Sequence, residues 1–499
     1  MKSFNFAPLW LALGASLLLA SCVSPPKDEA RFKVVDGKSL GLTESQSPRV
    51  QSGWWKVFGD SQLNHLIDES LANNPSLSEA LVRVRVAQAQ AIATGAATRP
   101  GLSIDGDETR QRLSENYIYP PAAAGFGIAG GDVVWMGQLT ANLSWDLDFW
   151  GHQSNLVHQA KAKVAAAELD NFSARLALSG AIAQSYVELY HAYILADIAK
   201  QNEQQREALL KLTRNRVDVG LDTQVELKIA EAALPQVRNA LLQAENQRDL
   251  AIHNLAALSG HGSDIYASIG RPQLSPDVAL PLPNELTLDL LSRRPDILAA
   301  KVRVEAATAG RAAAKAAFYP DINLKAFVGF QAVGLDKLLD SESLIYGAGP
   351  ALHLPIFDSQ RLKAGFFGAT AELDGAIASY NDTVLKAIRD VADQLSRSQS
   401  LNQQLAQAKQ ALDATEAAYK LAEHRYQAGL SSQLVVLNVE SNLLNARRDL
   451  VSLNTQLLIT RVTLLLTLGG SFDPTTNPVT GQIPATNTSA LIPNNLAVK

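Results

Sequence analysis

The sequence predicts a mainly α-helical fold with a transmembrane β part, built from two tandem copies of one unit. Three features of its 499 residues carry that prediction. Apolar residues recur at three- and four-residue spacing over stretches far longer than an ordinary globular helix. Shorter stretches alternate apolar with polar residues. Both patterns then return in the same order after roughly 220 residues, which is the duplication of a long unit rather than a solenoid.

The first element is a leader over 1–21. Lys2, an apolar core from about Leu9 to Ala20 and small residues just before Cys22 make the three-part pattern of a secretory signal peptide, so the mature chain is exported. "LASC", Leu19 to Cys22, resembles a bacterial lipobox, after which the cysteine becomes the lipid-bearing first residue. Cys22 is the single cysteine of the chain; it has no disulfide partner in an oxidising compartment, and lipid attachment accounts for it. Val23 stands where an aspartate would retain many such lipoproteins in the inner membrane, which favours the outer membrane. Residues 22–75 then form the lipid anchor and an irregular segment.

The two copies are visible residue by residue. "NNPSLSEALVRVRVAQAQAIATGAATRPGLSI" (73–104) and "RRPDILAAKVRVEAATAGRAAAKAAFYPDINL" (293–324) align without a gap, Pro75 on Pro295 and Pro100 on Pro320. "RVDVGLDTQ" (216–224) returns as "RYQAGLSSQ" (425–433), and Glu231 and Arg238 return as Glu440 and Arg447. The first copy occupies 76–260 and the second 296–470, with a linker over 261–295 and a polar tail over 471–499.

Each copy opens with a helix of about 23 residues bracketed by its two prolines, because the residue before a proline is pushed out of the helical region. An alternating hairpin follows, about 101–149 in the first copy and 321–357 in the second. A very long helix comes next, 153–217 and 362–427. In the second of these, Leu373, Ile377, Tyr380, Val384, Ile388, Val391 and Leu395 form a seam like that of a coiled coil. A turn holding Gly220 or Gly429 reverses the chain into a return helix, 222–259 and 432–468. At ~1.5 Å per residue each long helix reaches about 100 Å. The short and return helices together nearly match it, and stacking them end to end beside it gives two struts per copy.

The alternating segments point to a membrane. In "QLTANLSWDLDF", Leu139, Ala141, Leu143, Trp145, Leu147 and Phe149 alternate with Thr140, Asn142, Ser144, Asp146 and Asp148. Ile322, Leu324, Ala326, Val328 and Phe330 do the same, and Leu352, Leu354 and Ile356 continue it. About ten alternating residues are the signal of a strand with one lipid face and one wet face. Beyond the leader no apolar run of about 20 residues is expected to span a bilayer as a helix. Four strands cannot close on themselves in lipid, where every edge must be paired and the smallest barrels have about eight, so several chains must share one barrel. Eight, twelve or sixteen strands satisfy this argument equally.

"LPNELTLDLLSRRPDILAAKVRVEAATAGRAAAKAAFYPDINL" and "WWKVFGDSQLNHLIDESLANNP" resemble the outer-membrane factors of tripartite efflux systems, the TolC-like proteins of the lipoprotein (NodT) type. The resemblance runs from Cys22 to about Gly470. It implies a homotrimer whose twelve-strand outer-membrane β-barrel continues into a long periplasmic α-helical barrel. Its partners are implied to be a periplasmic adaptor (membrane fusion) protein, an inner-membrane pump of the RND type and outer-membrane lipid. The implied function is an exit duct for small molecules in multidrug resistance, powered by the pump; the exit duct of a protein (type I) secretion system uses the same architecture. Gly220, Leu221, Gly429 and Leu430 match the tips on which adaptor helices dock. Tyr426 and Glu226 match a tyrosine and an acidic residue that latch the closed aperture. Ser431 stands where an arginine can reinforce that latch, and Val435 and Asn438 replace aspartates that ring the pore in relatives.

Other chemistry finds little support. The net charge of −5 and the scatter of basic residues leave no footprint for nucleic acid. "GFGIAGGD" lacks the Lys and the strand-to-helix setting of a phosphate loop, so no nucleotide cofactor is expected. "GDS" (59–61) has the letters of an esterase nucleophile without a triad around it, so no catalytic residue is assigned. His152 and His158 are not at metal-ligand helical spacing, and Met1 and Met136 are the only methionines, which leaves no metal site.

Overall fold

The computed structural model describes residues 24–35, 40–41, 53–116, 131–274, 293–355, 358–470 and 472. The leader, Cys22, the linker residues 275–292 and the tail past 472 lie outside the described residues. A 3₁₀ turn (Trp54–Phe58) leads into α1 (Ser61–Asn73) and α2 (Pro75–Ala96). β1 (Gly101–Arg112) and β2 (Val133–Asp146) follow, then α3 (His152–Asp218) and α4 (Gln224–Leu258). The second copy supplies α5 (Pro295–Ala316), β3 (Asp321–Val333), β4 (Leu344–His353), α6 (Ser359–Gln427) and α7 (Gln433–Thr467).

The four strands form one antiparallel sheet in chain order. Its register places the apolar residues of all four strands in common rows. Gly106, Leu139, Phe330 and Leu344 form one row; Ile104, Ala141, Val328 and Tyr346 the next; Leu102, Leu143, Ala326 and Ala348 the third. Leu324 lies against Trp145 and Pro350, and Ile322 opposite Leu352. From Phe330 to Ile322 this band stands about 27 Å tall at ~3.4 Å per residue. The opposite face carries hydrogen-bonded polar groups: Asn142 Nδ2 donates to Asp105 Oδ2 at 2.8 Å and Ser144 Oγ to Asn323 Oδ1 at 2.9 Å. Aromatic side chains mark the end of the sheet next to the helices. Trp150 stacks on Tyr319 with ring centroids 4.8 Å apart, and its indole donates to the Pro320 carbonyl.

Each return helix abuts the short helix of its own copy. Asn74 caps α2 by accepting from Ser76 N at 2.8 Å, and its Nδ2 donates to Leu258 O, the last carbonyl of α4, at 2.7 Å. In the second copy Arg294, one residue before α5, donates to Thr467 O at the end of α7 at 3.2 Å. Asn74 thus closes both helix ends at its joint, whereas Arg294 satisfies only the carbonyl at the end of α7 and makes no side-chain cap to α5. The 22- and 35-residue pieces lie beside long helices of 67 and 69 residues.

The main core sits where these joints meet. Trp54, Trp55 and Phe58, with Leu63, Leu66 and Ile67 of α1, pack on Ile182, Tyr186 and Leu189 of α3 and on Leu458, Val462 and Leu465 of α7. Contrary to the expectation that no spanning stretch follows the leader, α7 is long and apolar enough to cross a bilayer. Its Leu443, Leu457, Leu458, Val462, Leu464 and Leu465 are buried in the protein, so its hydropathy marks a core helix.

Asp60, in the "GDS" triplet, is a structural knot in this core. Its carboxylate caps α1 through Gln62 N and Leu63 N, and it accepts from Tyr186 Oη and from Gln273 N, both at 2.7 Å. Burial, then the bond to Asp60, pushes the Tyr186 phenol well above its usual range. Asp60→Ala leaves those donors unpaired in a buried site, and we expect a loss of about 3 kcal/mol or more, read as a lower thermal unfolding midpoint.

Candidate functional site: the hairpin tips

The ends of α3 and α6 farthest from the sheet form the tips. Both helices finish in the same six-residue turn. Leu221 N donates to Arg216 O at 2.8 Å and Gly220 N to Val217 O at 3.0 Å; Leu430 N and Gly429 N repeat this on Arg425 O and Tyr426 O. The turn needs a left-handed residue, and Gly220 and Gly429 both have φ of 75°, which is cheap only without a Cβ. The reversal turns Leu221 and Leu430 outward, 65% and 69% exposed. Val219, Val225, Leu434 and Val435 are exposed beside them, so each tip presents apolar side chains to solvent.

Behind the exposed leucines a buried polar cluster ties the first hairpin (α3–α4) to the second (α6–α7). Arg216 grips Asp222 bidentately, Nε to Oδ2 at 2.9 Å and Nη2 to Oδ1 at 3.1 Å. The same guanidinium donates from Nη1 to Tyr426 O at 3.0 Å and stacks 4.6 Å over the Tyr426 ring. The Tyr426 hydroxyl donates to Asp222 Oδ2 at 2.6 Å, and Thr213 Oγ1 lies 3.2 Å from it and accepts from Gln433 Nε2 at 3.0 Å. Arg216 holds the Asp222 carboxyl below the usual carboxylate range, helped by the phenol and opposed by burial. Burial, then Asp222, lifts the Tyr426 phenol above its own.

The expected Tyr426–Glu226 pair is therefore corrected. Tyr426 is fully buried and its hydroxyl is bound to Asp222. Glu226 is exposed and turned back on its own helix, accepting from Thr223 N at 2.9 Å and from the Thr223 hydroxyl in a capping box. Those bonds, the Thr223 hydroxyl first, hold the Glu226 carboxyl below its ordinary range. The sequence carried the warning: "TQVE" ahead of an apolar helix is the capping-box spacing, which commits the glutamate locally. Asp222, at the turn itself, is the residue that sequence reasoning missed. Cys22 lies outside the described residues.

The fold and the tips can now be set beside known proteins. The profile described as "Outer membrane efflux protein" matches residues 66–261 and 286–470. The chain belongs to that family. It is 30% identical over 466 residues to the multidrug resistance outer membrane protein MdtP of Escherichia coli (strain K12), covering 92% of this chain and 95% of that one. It is 34% identical over 367 residues to the fusaric acid resistance protein FusA of Burkholderia cepacia, covering 72% and 68%. Among solved structures, the outer membrane protein VceC of Vibrio cholerae superposes with a TM-score of 0.79 at 36% identity, covering 85% of this chain and all of that one. CusC superposes with a TM-score of 0.77 at 26% identity, covering 86% and 99%.

The Asp222 carboxyl has a depressed folded pKa, so it adds stability above its unfolded pKa, and that contribution is lost as pH falls through the folded value. The tip cluster accordingly stays intact through neutral and mildly acid solution and weakens only below about pH 4. Asp222→Asn should cost about 3 kcal/mol at pH 7. In thermal melts the gap from the parent should persist to about pH 5 and close below about pH 4.

Proposed function

We propose that three copies of this chain assemble into an exit duct, a twelve-strand barrel in the outer membrane continued by a helical barrel that crosses the periplasm. The observation that carries this reading is the sheet: one face is a continuous apolar band about 27 Å tall, close to the height of a lipid-facing barrel band, and its outer edges belong to β1 and β4. Neither edge has a partner strand among the described residues, and hydrocarbon does not tolerate open edges. The Trp150–Tyr319 stack lies where the strands meet the helices, a suitable depth for an interfacial aromatic girdle. Helices of 67 and 69 residues then reach about 100 Å away from that boundary.

In this reading the exposed Leu221 and Leu430 at the tips receive the helices of a periplasmic adaptor, which links the duct to an inner-membrane pump of the RND type. The pump supplies the energy. Small molecules are the favoured cargo over secreted polypeptides, because curated relatives are named for multidrug and fusaric acid resistance.

Lipid attachment at Cys22 is part of the same proposal, supported by a strap over 24–35. Asp374 Oδ1 accepts from Arg31 N at 2.7 Å and Phe32 N at 3.1 Å, and Asn381 pairs with Val35 N and Lys33 O, both at 2.9 Å. Arg311 donates to Asp28 O and to Thr370 Oγ1. The strap thus runs parallel to α6, and toward its start it approaches the strands. From Thr370 to the first residue of α6, Ser359, is about 17 Å. The six residues from Asp28 back to Cys22 span up to about 20 Å, enough for an acyl chain on Cys22 to meet the membrane beside the barrel.

Purified protein should run as a trimer after cross-linking and conduct ions in planar bilayers; a monomer without conductance refutes the duct. Cys22→Ala should abolish metabolic labelling with a fatty acid, and undiminished labelling removes the lipid anchor. Leu221→Asp with Leu430→Asp should leave a trimer of unchanged conductance that no longer cross-links to its adaptor.

A further inference from the structure

The seam between α3 and α7, where the two hairpins meet along their length, changes character on the way down. The helices run antiparallel in constant register: Gln184 Nε2 donates to Thr463 Oγ1, Arg206 pairs with Glu440, and Thr213 accepts from Gln433. At the upper end, Ile182, Tyr186 and Leu189 pack on Leu458, Val462 and Leu465, and Gly180 lets Leu466 in so closely that a Cβ would stand 2.3 Å from its Cδ1. Near the tip, Leu209 and Leu212 pack with Tyr426 and Val436. Between Tyr193 and Leu209, about 24 Å of helix, no apolar cluster among the described residues joins α3 to α7.

In that interval, besides the buried Ile198 of α3 and Leu443 and Leu444 of α7, stands an ion pair between the two helices. Arg206 Nη2 lies 3.1 Å from Glu440 Oε2, with the two side chains only 11% and 2% exposed. It is poorly furnished. Glu440 Oε1, Arg206 Nε, Asn202 Oδ1 and Gln205 Oε1 are buried and find no hydrogen-bond partner among the described residues. Burial lifts the Glu440 carboxyl above its ordinary range, opposed by Arg206, and lifts the nearby Tyr419 phenol to about 12. A half-satisfied buried network of this kind specifies a geometry at low net stability, and apolar residues in its place would hold the helices together at least as firmly.

The internal duplication acts as a control. With Gly220 on Gly429, the pair Arg238–Glu207 falls on Arg447–Glu416, and each fastens its own hairpin. Among the groups that join the two hairpins, Arg206 falls on Thr415, Asp222 on Ser431 and Tyr426 on Val217, while Arg216, Gln433 and Glu440 match Arg425, Gln224 and Glu231. Glu231, which falls on Glu440, is not joined across hairpins but pairs with Lys228 and Arg214 of its own. Each of these contacts between the hairpins therefore has at least one member that the other copy lacks.

We infer that Arg206 and Glu440 are a second inter-hairpin catch, about 15 Å above the Arg216–Asp222–Tyr426 cluster, whose release lets the second hairpin part from the first up to the apolar core at Leu189. The inference rests on the duct reading and concerns how far up the duct opening extends. Arg206 and Glu440 are positioning residues; neither needs to touch cargo.

Single-channel recording on the full-length protein tests it with two variants of opposite sense. Glu440→Gln leaves Arg206 without its counter-charge and should raise the open-state occupancy by about fivefold, within the range of couplings between contacting residues. Arg206→Met with Glu440→Leu replaces the catch with apolar contact and should lower it by a similar factor, with the trimer intact. A merely structural pair would loosen in both cases, so shifts of the same sign overturn the inference. The double variant decides alone where Glu440→Gln fails to assemble: occupancy equal to the parent's overturns the catch and leaves the duct standing. A parent that never conducts overturns the duct reading and the catch with it.

Discussion

A backbone amide in hydrocarbon must be paired, and most of this chain's architecture answers that constraint. Four strands pair three times within the chain and leave two edges. Because the strands are consecutive neighbours, both edges lie at the outside of the sheet, where the proposed duct would bring further copies of the chain. The long helices leave the same end of the sheet and inherit its spacing, so whatever closes the strands also arranges the struts below. The main core, with its three buried aromatics from the Trp54–Phe58 turn, braces that arrangement where helix ends would otherwise be open.

Much of this was legible in the sequence, for reasons that can be named. The helix–strand order follows from prolines that bracket the short helices, Pro75 and Pro295 opening them and Pro100 and Pro320 standing past their ends, and from the alternation of a two-faced strand. The side-by-side register of β2 and β3 was less accessible. It joins Leu139 to Phe330 across nearly two hundred residues, and each hairpin taken separately is silent about it. The hydropathy of α7 was misleading in isolation, since a helix buried on several sides and a helix in lipid share a composition.

The tips show the limit of reading by position. Distance along a helix placed Glu226 within reach of Tyr426, and reach was the wrong criterion. The glutamate was already committed to Thr223, while Asp222, carried by the turn that Gly220 permits, arrived with Arg216 attached. Local hydrogen bonds settle first and leave fewer groups free for long-range pairing than the sequence displays. The cluster that resulted is better protected than the expected pair, since Arg216 covers the Tyr426 ring and Asp222 is far less exposed than Glu226.

The uneven distribution of burial along α3 has a kinetic meaning. Its residues near Ile182 and Tyr186 are enclosed by helices and aromatics, whereas between Tyr193 and Leu209 its apolar cluster is with α4 and its tie to α7 is the Arg206–Glu440 pair. Local opening costs least where few apolar contacts must be broken. One continuous helix will therefore exchange its amide hydrogens at two speeds, slowly beside the main core and faster toward the tip, so that a rod of uniform secondary structure behaves as a clamped base carrying a limber arm.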